Sequence, residues 1–327
     1  NEKEKEMNGP AFGLHVKSRF DKIVDVNDCH INGKLANEIF QFIKQNLHEY
    51  NITPFDIKKR TGFLKNIIIR EGHATNQILV NFIITESDSS CLVPITQNLI
   101  KKFNEIKSVL CSTVKKNSGS SFSDEEKILW GEDYISEKID NSVYKISRNS
   151  FFQTNSKQAK VLYDLIIDIA DFKGNEIVYD LYCGTGSIGL HIAKYVKIVY
   201  GIEVVMSAVI DAIENAKNNK IKNVHFFHGD LINAFTTNEE LKLIPKPDII
   251  ILDPPRAGIH ENTLNEILKF NSKKIIYVSC NPSTQARDIK LLSENNYKIK
   301  NIQPIDMFPH TPHIENIVLM EKYEQYH

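Results

Sequence analysis

The feature that most constrains the fold is a regular alternation of short apolar runs with amphipathic segments between residues 156 and 294. Each run is followed by a stretch whose apolar residues recur at helical spacing. This order is typical of βαβ units in a doubly wound, mostly parallel sheet. Two further runs, 299–304 and 314–321, flank a proline-rich loop and predict an antiparallel edge. We therefore expect a Rossmann-like α/β domain over residues 149–327.

Residues 1–148 show a different pattern and predict a smaller α+β domain. The predicted elements are a helix over 33–49, a hairpin of strands 63–70 and 77–85, a helix over 94–106, and strands at 108–114, 134–138 and 143–146. This order indicates helices set against an antiparallel sheet. A glycine- and serine-rich loop is predicted at 115–126, and the domain boundary falls near 147–151.

Composition narrows the class of protein. Forty basic and 41 acidic residues give a formal charge of −1, so any polyanion must be held by local patches. The five cysteines include no CxxC pair, which argues against disulfides, a metal site and an iron–sulfur cluster. No run approaches the ~20 apolar residues of a membrane span, and the start lacks a signal-peptide core. We expect a cytoplasmic protein. Because the chain begins at Asn1 and not at Met, further N-terminal sequence could precede it.

The stretch 274–288, KIIYVSCNPSTQARD, is the first candidate for chemistry. It reads as a buried strand that ends near Ser279 and a helix that starts near Ser283. Cys280 would lie at the carboxyl end of the strand and face the amino end of the helix, where the pKa of a thiol could fall below about 8.5. Cys280 is therefore a candidate nucleophile. The alternative is that Cys280 is a small buried hydrophobe.

A glycine-rich turn, 180–189 (DLYCGTGSIG), follows another apolar strand and opens a helix. Glycines there let a ligand approach the backbone, although such a turn alone first suggests a dinucleotide. Asp180 precedes the first glycine, and Glu203 and Asp230 follow the next two strands. Carboxylates at these strand ends favour S-adenosylmethionine, because Glu203 can take a ribose diol and Asp230 an adenine amino group. A purely structural turn is the alternative.

The sequence Asp253-Pro-Pro-Arg256 follows the fourth strand. Methyltransferases that act on exocyclic amines often have an aromatic residue at the position of Arg256, and cytosine-C5 enzymes usually have a cysteine in this loop. Neither is present. A rigid turn is possible, but Arg256 is more simply a substrate contact. By spacing alone, the sequence 151–155 (FFQTN) reads as core aromatics and a turn, and Glu315 as an ordinary surface carboxylate.

Five motifs occur in order: FFQTN (151–155), DLYCGTGSIG (180–189), DPPRAG (253–258), VSCNPSTQARD (278–288) and HTPHIEN (310–316). Together they resemble the S-adenosylmethionine-dependent RNA uracil-C5 methyltransferases, which make 5-methyluridine in transfer and ribosomal RNA. The resemblance implies a class I methyltransferase domain with Cys280 as the nucleophile and Glu315 as the general base. It also implies that the cofactor pocket contains Gln153, Tyr182, Gly184, Ser187, Glu203, Asp230 and Asp253. Ser187 stands where many relatives have Asn.

The resemblance implies a substrate class and a reaction. Cys280 would attack carbon 6 of uracil, carbon 5 would take the methyl group, and Glu315 would remove the proton left on carbon 5. Arg256 could stabilise the enolate or bind a phosphate. Exposed RNA loops would favour release of the base from its stack.

Residues 10–150 are similar to the family's central RNA-binding domain. Within them, Lys58, Lys59 and Arg60 form the candidate RNA patch; the alternative is that these charges form an ordinary solvated face. The likeness of residues 10–150 to ribosomal members favours 23S ribosomal RNA over transfer RNA. A non-catalytic RNA-binding protein is the remaining alternative, and no obligate protein partner is expected.

Overall fold

The chain divides between Ile135 and Ser136 into two units. This computed structural model describes residues 11–16, 19–115, 125–148 and 151–323. The division lies earlier than the boundary predicted near 147–151, because the hairpin of β7 (Tyr134–Ile139) and β8 (Ser142–Ser147) is bonded to the following unit. The amide of Lys145 donates to Asn215 Oδ1 and that of Val143 donates to Asn219 Oδ1, each at 2.7 Å.

The first unit is a four-stranded sheet with two helices and a separate hairpin. Its elements are β1 (Gly13–Val16), β2 (Arg19–Asp25), α1 (Lys34–Asn46), β3 (Leu64–Gly72), β4 (Gln77–Ile84), α2 (Leu92–Lys102), β5 (Ile106–Thr113) and β6 (Glu125–Gly131). The sheet order is β3-β4-β5-β6, and β1 pairs with β2. Apolar residues of α1 and α2, such as Ile39, Ile43 and Leu99, share one core with Val80 and Phe82 of β4.

Two sequence predictions for this unit were wrong. The sheet is mixed rather than antiparallel, since β4 and β5 run parallel. The physical reason is that α2 carries the chain back to the starting end of the sheet before β5 begins. The strand β6 was also missed, because its first three residues are charged and its start was assigned to the loop 115–126. Residues 116–124 of that loop lie outside the described residues.

The second unit contains a seven-stranded sheet covered by helices. Its further elements are α3 (Ser156–Ala170), β9 (Ile177–Leu181), α4 (Ser187–Ile192), β10 (Ile198–Glu203), α5 (Met206–Asn218), β11 (Val224–His228), α6 (Ala234–Thr237), α7 (Glu239–Leu243), β12 (Ile249–Leu252), α8 (Glu261–Leu268), β13 (Lys274–Ser279), α9 (Pro282–Glu294), β14 (Tyr297–Ile305) and β15 (Glu315–Lys322). Apolar strand residues such as Ile250, Leu252 and Tyr277 form the core. Within the described ranges, no helix has the length and apolar character needed to cross a bilayer.

The strand order, β11-β10-β9-β12-β13-β15-β14, confirms the predicted doubly wound α/β fold. Strands β9 to β13 run parallel to one another, and β15 runs antiparallel to both β13 and β14. The predicted antiparallel edge is therefore confirmed. The chain order reverses between β9 and β12, and such switch points place ligands at the carboxyl ends of the strands.

Candidate active site

The antiparallel edge brings together the thiol and the carboxyl that the sequence analysis identified as catalytic candidates. Strand β13 ends at Ser279, which pairs with Asn316 near the start of β15. The next residue of each strand in this register is Cys280 on one side and Glu315 on the other. Cys280 is half-buried, and the Glu315 side chain is 3% exposed. Glu315 therefore lies in the interior, although its sequence context suggested the surface.

Burial and neighbouring carboxyls control protonation at this pair. Burial raises the pKa of Glu315 to about 8, with a further contribution from Asp253. Burial also raises the pKa of Cys280, and Glu315 and Asp253 add to the effect, while the Arg256 guanidinium lowers it. The lowering predicted from the helix end was therefore wrong in its net direction: desolvation disfavours the thiolate more than the nearby positive charge favours it.

The helix α9 begins two residues after Cys280. Asn281 caps the helix, since its Oδ1 accepts from the amide of Ser283 at 3.2 Å, and Pro282 occupies the first turn. Proline fits there because its missing N–H would have no partner within the helix. The start lies one residue before the predicted one, so the thiol stands immediately before the cap.

Side chains from α9 hold the Asp-Pro-Pro loop next to Cys280. The carbonyl of Arg256 accepts from Asn281 Nδ2 at 3.0 Å and from the Thr284 hydroxyl at 3.2 Å. Asp288, which is fully buried, accepts from the amide of Ile259 at 2.8 Å and from the Tyr277 hydroxyl at 2.6 Å. Sequence reasoning gave Thr284 and Asp288 no role. The available signal was their spacing of four residues, which places both on one helix face.

A second contact from α9 holds the start of β15. Gln285 is 1% exposed, and its Nε2 donates to the carbonyls of Tyr277 at 2.8 Å and Asn316 at 3.1 Å. Asn316 Nδ2 returns a bond to Gln285 Oε1 at 2.7 Å. This exchange ties the residue after Glu315 to β13, the strand that ends one residue before Cys280. Gln285 was also missed, because nothing in its neighbouring sequence indicates a buried amide.

The glycine-rich turn joins β9 to α4 at the switch point. Glu203 Oε2 accepts from the amide of Gly184 at 3.0 Å, so the carboxylate at the end of β10 supports the turn. Gly184 has φ +53° and a side chain there would meet open space, with the Phe151 carbonyl 3.9 Å away. Gly186 has φ +77°, but a Cβ would lie 2.3 Å from the Phe226 ring. Packing explains Gly186, whereas open space at Gly184 suits a ligand that approaches the backbone.

Two buried polar atoms near this end of the sheet are unsatisfied within the described residues: Gln153 Oε1 and Asp180 Oδ1. The other oxygen of Asp180 accepts from the Gly189 amide at 2.9 Å, and burial raises the pKa of Asp180 to about 7. Buried polar atoms normally have partners, so orphaned acceptors indicate a missing donor. A ligand with N–H or O–H groups fits these residues.

The other predicted cofactor residues differ in exposure. Tyr182, at φ +63°, is half-buried, and burial raises its pKa to about 12, with a contribution from the Asp230 carboxylate. Asp230 itself is exposed and accepts from the amide of Ile232 at 3.1 Å. Asp253 is half-buried at the end of β12, where burial raises its pKa to about 7. The Ser187 hydroxyl accepts from Tyr163 at 2.8 Å.

Arg256 is exposed, and so are the three residues of the candidate RNA patch, Lys58, Lys59 and Arg60. Arg256 Nη2 lies 3.1 Å from His313 Nδ1. Lys58, Lys59 and Arg60 occupy a tight turn that is closed by the bond from the Asp56 amide to the Thr61 carbonyl at 2.7 Å. Lys58 also lies 3.3 Å from Asp21. The turn presents these side chains to solvent.

Three potential metal ligands, Asp140, Asp164 and His191, converge elsewhere in the second unit, with ligand atoms within 4.8 Å of one another. His191 Nε2 lies 3.0 Å from Asp164 Oδ1. The Lys160 ammonium pairs with Asp164 and lies 3.4 Å from Asp140. One ammonium thus lies next to both carboxylates, where a bound cation would lie. We interpret this cluster as an ion-pair network.

Known proteins are similar to this chain over most of its length. Residues 104–323 match the family described as tRNA (Uracil-5-)-methyltransferase. An uncharacterized RNA methyltransferase of Chlorobaculum tepidum is 37% identical over 316 residues, which cover 96% of this chain and 65% of that protein. A second, from Oceanobacillus iheyensis, is 38% identical, with 95% and 67% covered. The chain therefore spans about two thirds of the length of these relatives.

Among solved structures, the Pyrococcus abyssi tRNA (uracil-54, C5)-methyltransferase in complex with S-adenosyl-L-homocysteine is similar, with a TM-score of 0.78 and 32% identity. The similarity covers 94% of this chain and 71% of that one.

Proposed function

This chain belongs to the tRNA (uracil-5-)-methyltransferase family, and from that membership we propose that it methylates carbon 5 of a uridine in RNA, with S-adenosylmethionine as the methyl donor. The observation that carries the proposal is that Cys280 and Glu315, a buried carboxyl of raised pKa, each lie one residue beyond the Ser279–Asn316 pair of β13 and β15. A nucleophile next to a base is what covalent activation of uracil requires.

The reaction follows from the chemistry of the ring. The Cys280 thiolate adds to carbon 6, and the electron pair displaced from the ring double bond makes carbon 5 enolate-like and nucleophilic. S-adenosylmethionine, when bound, supplies the methyl group that carbon 5 takes. The Glu315 carboxylate then removes the proton on carbon 5, the double bond forms again, and the carbon–sulfur bond breaks to release the thiolate. Arg256, which favours the thiolate, would also stabilise the enolate oxygen.

The residues around the glycine turn support the choice of cofactor. Gly184 leaves space for close approach to the backbone, and Gln153 and Asp180 each present a buried acceptor without a partner in the described ranges. An amino group of the cofactor would satisfy such acceptors. We assign Gln153, Tyr182, Glu203 and Asp253 to hold the cofactor, with Ser187 and Asp230 as further contacts. The Pyrococcus abyssi neighbour was crystallised with S-adenosyl-L-homocysteine, which agrees with this choice.

The proposed substrate is 23S ribosomal RNA in the cytoplasm, on the likeness of residues 10–150 to bacterial ribosomal members of the family. Transfer RNA is the second candidate, because the structural neighbour from Pyrococcus abyssi acts on transfer RNA. Lys58, Lys59 and Arg60 are the proposed RNA contacts of the first unit. Exposed cations attract either RNA class, so the two substrates must be separated by experiment.

The test uses methyl-labelled S-adenosylmethionine with separate pools of unmodified ribosomal and transfer RNA, followed by nucleoside analysis. Label in 5-methyluridine of ribosomal RNA is expected. Label in 5-methyluridine of transfer RNA would show that transfer RNA, and not ribosomal RNA, is the substrate. Label in 5-methylcytidine, or no label at all, would overturn the proposal.

Two variants test the roles of the paired residues. Cys280→Ala should lose at least about 1,000-fold in rate and still bind the cofactor, whereas Cys29→Ala should keep its activity, since loss of the nucleophile removes the covalent path. Glu315→Gln should accumulate a covalent protein–RNA adduct that survives denaturation, because addition proceeds and elimination stalls. Glu321→Gln, at the other end of β15, is its control. Normal turnover by Glu315→Gln would contradict the assignment of the base.

A further inference from the structure

The hydrogen bond between Arg256 and His313 has a defined donor and a defined acceptor. Arg256 Nη2 lies 3.1 Å from His313 Nδ1, and a guanidinium can only donate. Nδ1 must therefore be the acceptor, and the proton of the neutral imidazole lies on Nε2. A doubly protonated ring would set two donors and two positive charges against each other. His313 in this arrangement is a neutral acceptor for the guanidinium.

The two side chains come from loops that are separately anchored on either side of Cys280. The Arg256 carbonyl is held by Asn281 and Thr284 at the start of α9. The amide of His313 donates to Thr311 Oγ1 at 3.2 Å, and the Thr311 hydroxyl donates to the Phe308 carbonyl at 2.7 Å. His313 precedes the base Glu315 by two residues. The backbones are thus fixed, and the long Arg256 side chain is the part that needs orientation.

An exposed arginine side chain has many rotamers, and holding it in one of them costs conformational entropy. The hydrogen bond to His313 restricts the guanidinium charge to the rotamers that reach Nδ1. The same charge acts on Cys280, where it favours the thiolate against the two carboxyls.

We propose that His313 is a positioning residue that holds the Arg256 guanidinium next to Cys280. The role given to the guanidinium rests on the proposed function: it stabilises the attacking thiolate and then the uracil enolate. His313 is assigned no part in the chemical steps themselves. Its contribution is made through Arg256, so removing either side chain should have the same effect on the thiol.

The test measures alkylation of Cys280 by iodoacetamide across pH 7 to 10, with mass spectrometry of the modified peptide. It needs neither RNA nor methyl donor, so its result is independent of whether the proposed activity is found. Alkylation of Cys29, a half-buried thiol in the first unit, is the internal control. The variants are His313→Leu, His313→Asn, Arg256→Met and the double variant His313→Leu/Arg256→Met.

We expect His313→Leu and Arg256→Met each to slow alkylation of Cys280 at pH 8 by about two- to fourfold and to raise its pH midpoint, because thiolate is lost and nucleophilicity compensates only in part. The double variant should be no slower than either single one, as for two residues that act as a unit. His313→Asn should restore the wild-type rate, since its Oδ1 replaces Nδ1 as the acceptor.

Two results would overturn the proposal. One is a wild-type alkylation rate in His313→Leu when Arg256→Met is slow, and the other is a double variant whose effects add. His313 is exposed, so the substitution should not unfold the chain. If the leucine variant does not fold, His313→Phe keeps a ring without an acceptor and answers the same question.

Discussion

Buried acids dominate the chemistry of this protein at the scale of single residues. Asp180, Asp253 and Glu315 have pKa values raised to about 7, 7 and 8, in each case chiefly by burial. A carboxyl that holds its proton near neutral pH is suited to proton transfer, because it can exist in both forms at the working pH. The same burial makes each of these groups a site where stability depends on pH.

Glu315→Gln should change the pH dependence of stability in a specific direction. The folded chain keeps the Glu315 proton up to about pH 8, whereas the unfolded chain releases it near the ordinary pKa of 4.5. The folded state therefore binds more protons between these values, and the free energy of unfolding falls as pH rises through that window. Relative to wild type, the free energy of unfolding of Glu315→Gln should rise by about 4 kcal/mol between pH 4.5 and 8.5.

Urea unfolding of both proteins at pH 4.5 and 8.5 would measure this difference. Glu321→Gln is the matched control, because its carboxylate lies at the far end of β15, 3.9 Å from Lys274 and 3.6 Å from Lys300. Between pH 4.5 and 8.5 that variant should show no increase in the free energy of unfolding relative to wild type. If the free energy of unfolding changes equally with pH in wild type and Glu315→Gln, the Glu315 carboxyl is not buried as described.

Gly184→Ala should separate stability from cofactor binding. Gly184 and Gly174 both have positive φ, at +53° and +92°, and a Cβ at Gly174 would meet no atom within 4 Å, whereas one at Gly184 would meet only the Phe151 carbonyl, at 3.9 Å. Each alanine variant should therefore cost about 1 to 2 kcal/mol of stability through backbone strain alone. Only Gly184→Ala should also weaken S-adenosylmethionine binding, by about tenfold or more as measured by calorimetry. Equal affinities in the two variants would remove Gly184 from the cofactor site.

At the scale of elements, α9 acts as the support of the site. Its first half holds the Asp-Pro-Pro loop through Thr284 and Asp288 and the start of β15 through Gln285. Cys280, the proposed nucleophile, lies just before the Asn281 cap of this helix, so one element sets the relative positions of Cys280, the loop that carries Arg256 and the strand that carries Glu315. Rigid support of this kind is what a catalytic arrangement needs.

Asp288→Asn should lower stability by about 2 to 4 kcal/mol, because the fully buried carboxylate accepts from the Ile259 amide, the Tyr277 hydroxyl and Arg287. Amide exchange at Ile259 should become faster, since the asparagine cannot accept all of these bonds. Urea unfolding and hydrogen exchange would measure the two effects. Glu294→Gln, an exposed change at the end of the same helix, should alter neither. An unchanged Ile259 exchange rate in Asp288→Asn would contradict the proposed support.

At the scale of the whole molecule, the charge is nearly balanced, with 40 basic and 41 acidic residues. Long-range attraction to RNA is therefore weak, and binding must rely on local groups of cations. Lys58 and Lys59 lie on an exposed turn of the first unit, whereas the reacting groups belong to the second. RNA affinity and chemistry should accordingly respond to different substitutions.

Lys58→Ala/Lys59→Ala should weaken RNA binding by about tenfold at low salt and reduce the slope of log affinity against log salt by about 1.4 to 1.8, the value for two lost phosphate contacts. Cofactor affinity should stay unchanged. The control is Lys298→Ala/Lys300→Ala, which removes two exposed lysines from β14 of the other unit. Filter binding at several salt concentrations would measure the effect, and equal slopes for the two double variants would exclude the turn as the RNA patch.

Much of the fold could be predicted from local patterns. Periodicity identified the strands of the second unit, the antiparallel edge and most of the helices, but it missed α7, and the glycines marked the turn after β9. One error had a tertiary cause, since α2 sets β4 and β5 parallel. The bonds from the hairpin β7–β8 to α5 are likewise a tertiary feature. Local sequence carries no information about which distant element a strand joins.

By itself, the sequence determined the doubly wound sheet, the turn that can admit a cofactor and the position of Cys280 after a buried strand, because each depends on neighbours within a few residues. Only the tertiary structure decided that Glu315 is buried opposite Cys280, that Gln285 and Asp288 support the site and that His313 meets Arg256. Burial, pKa and hydrogen bonding at these residues depend on partners far away in the chain, as in the 57 positions that separate Arg256 from His313. Such contacts exist only after the sheet has assembled.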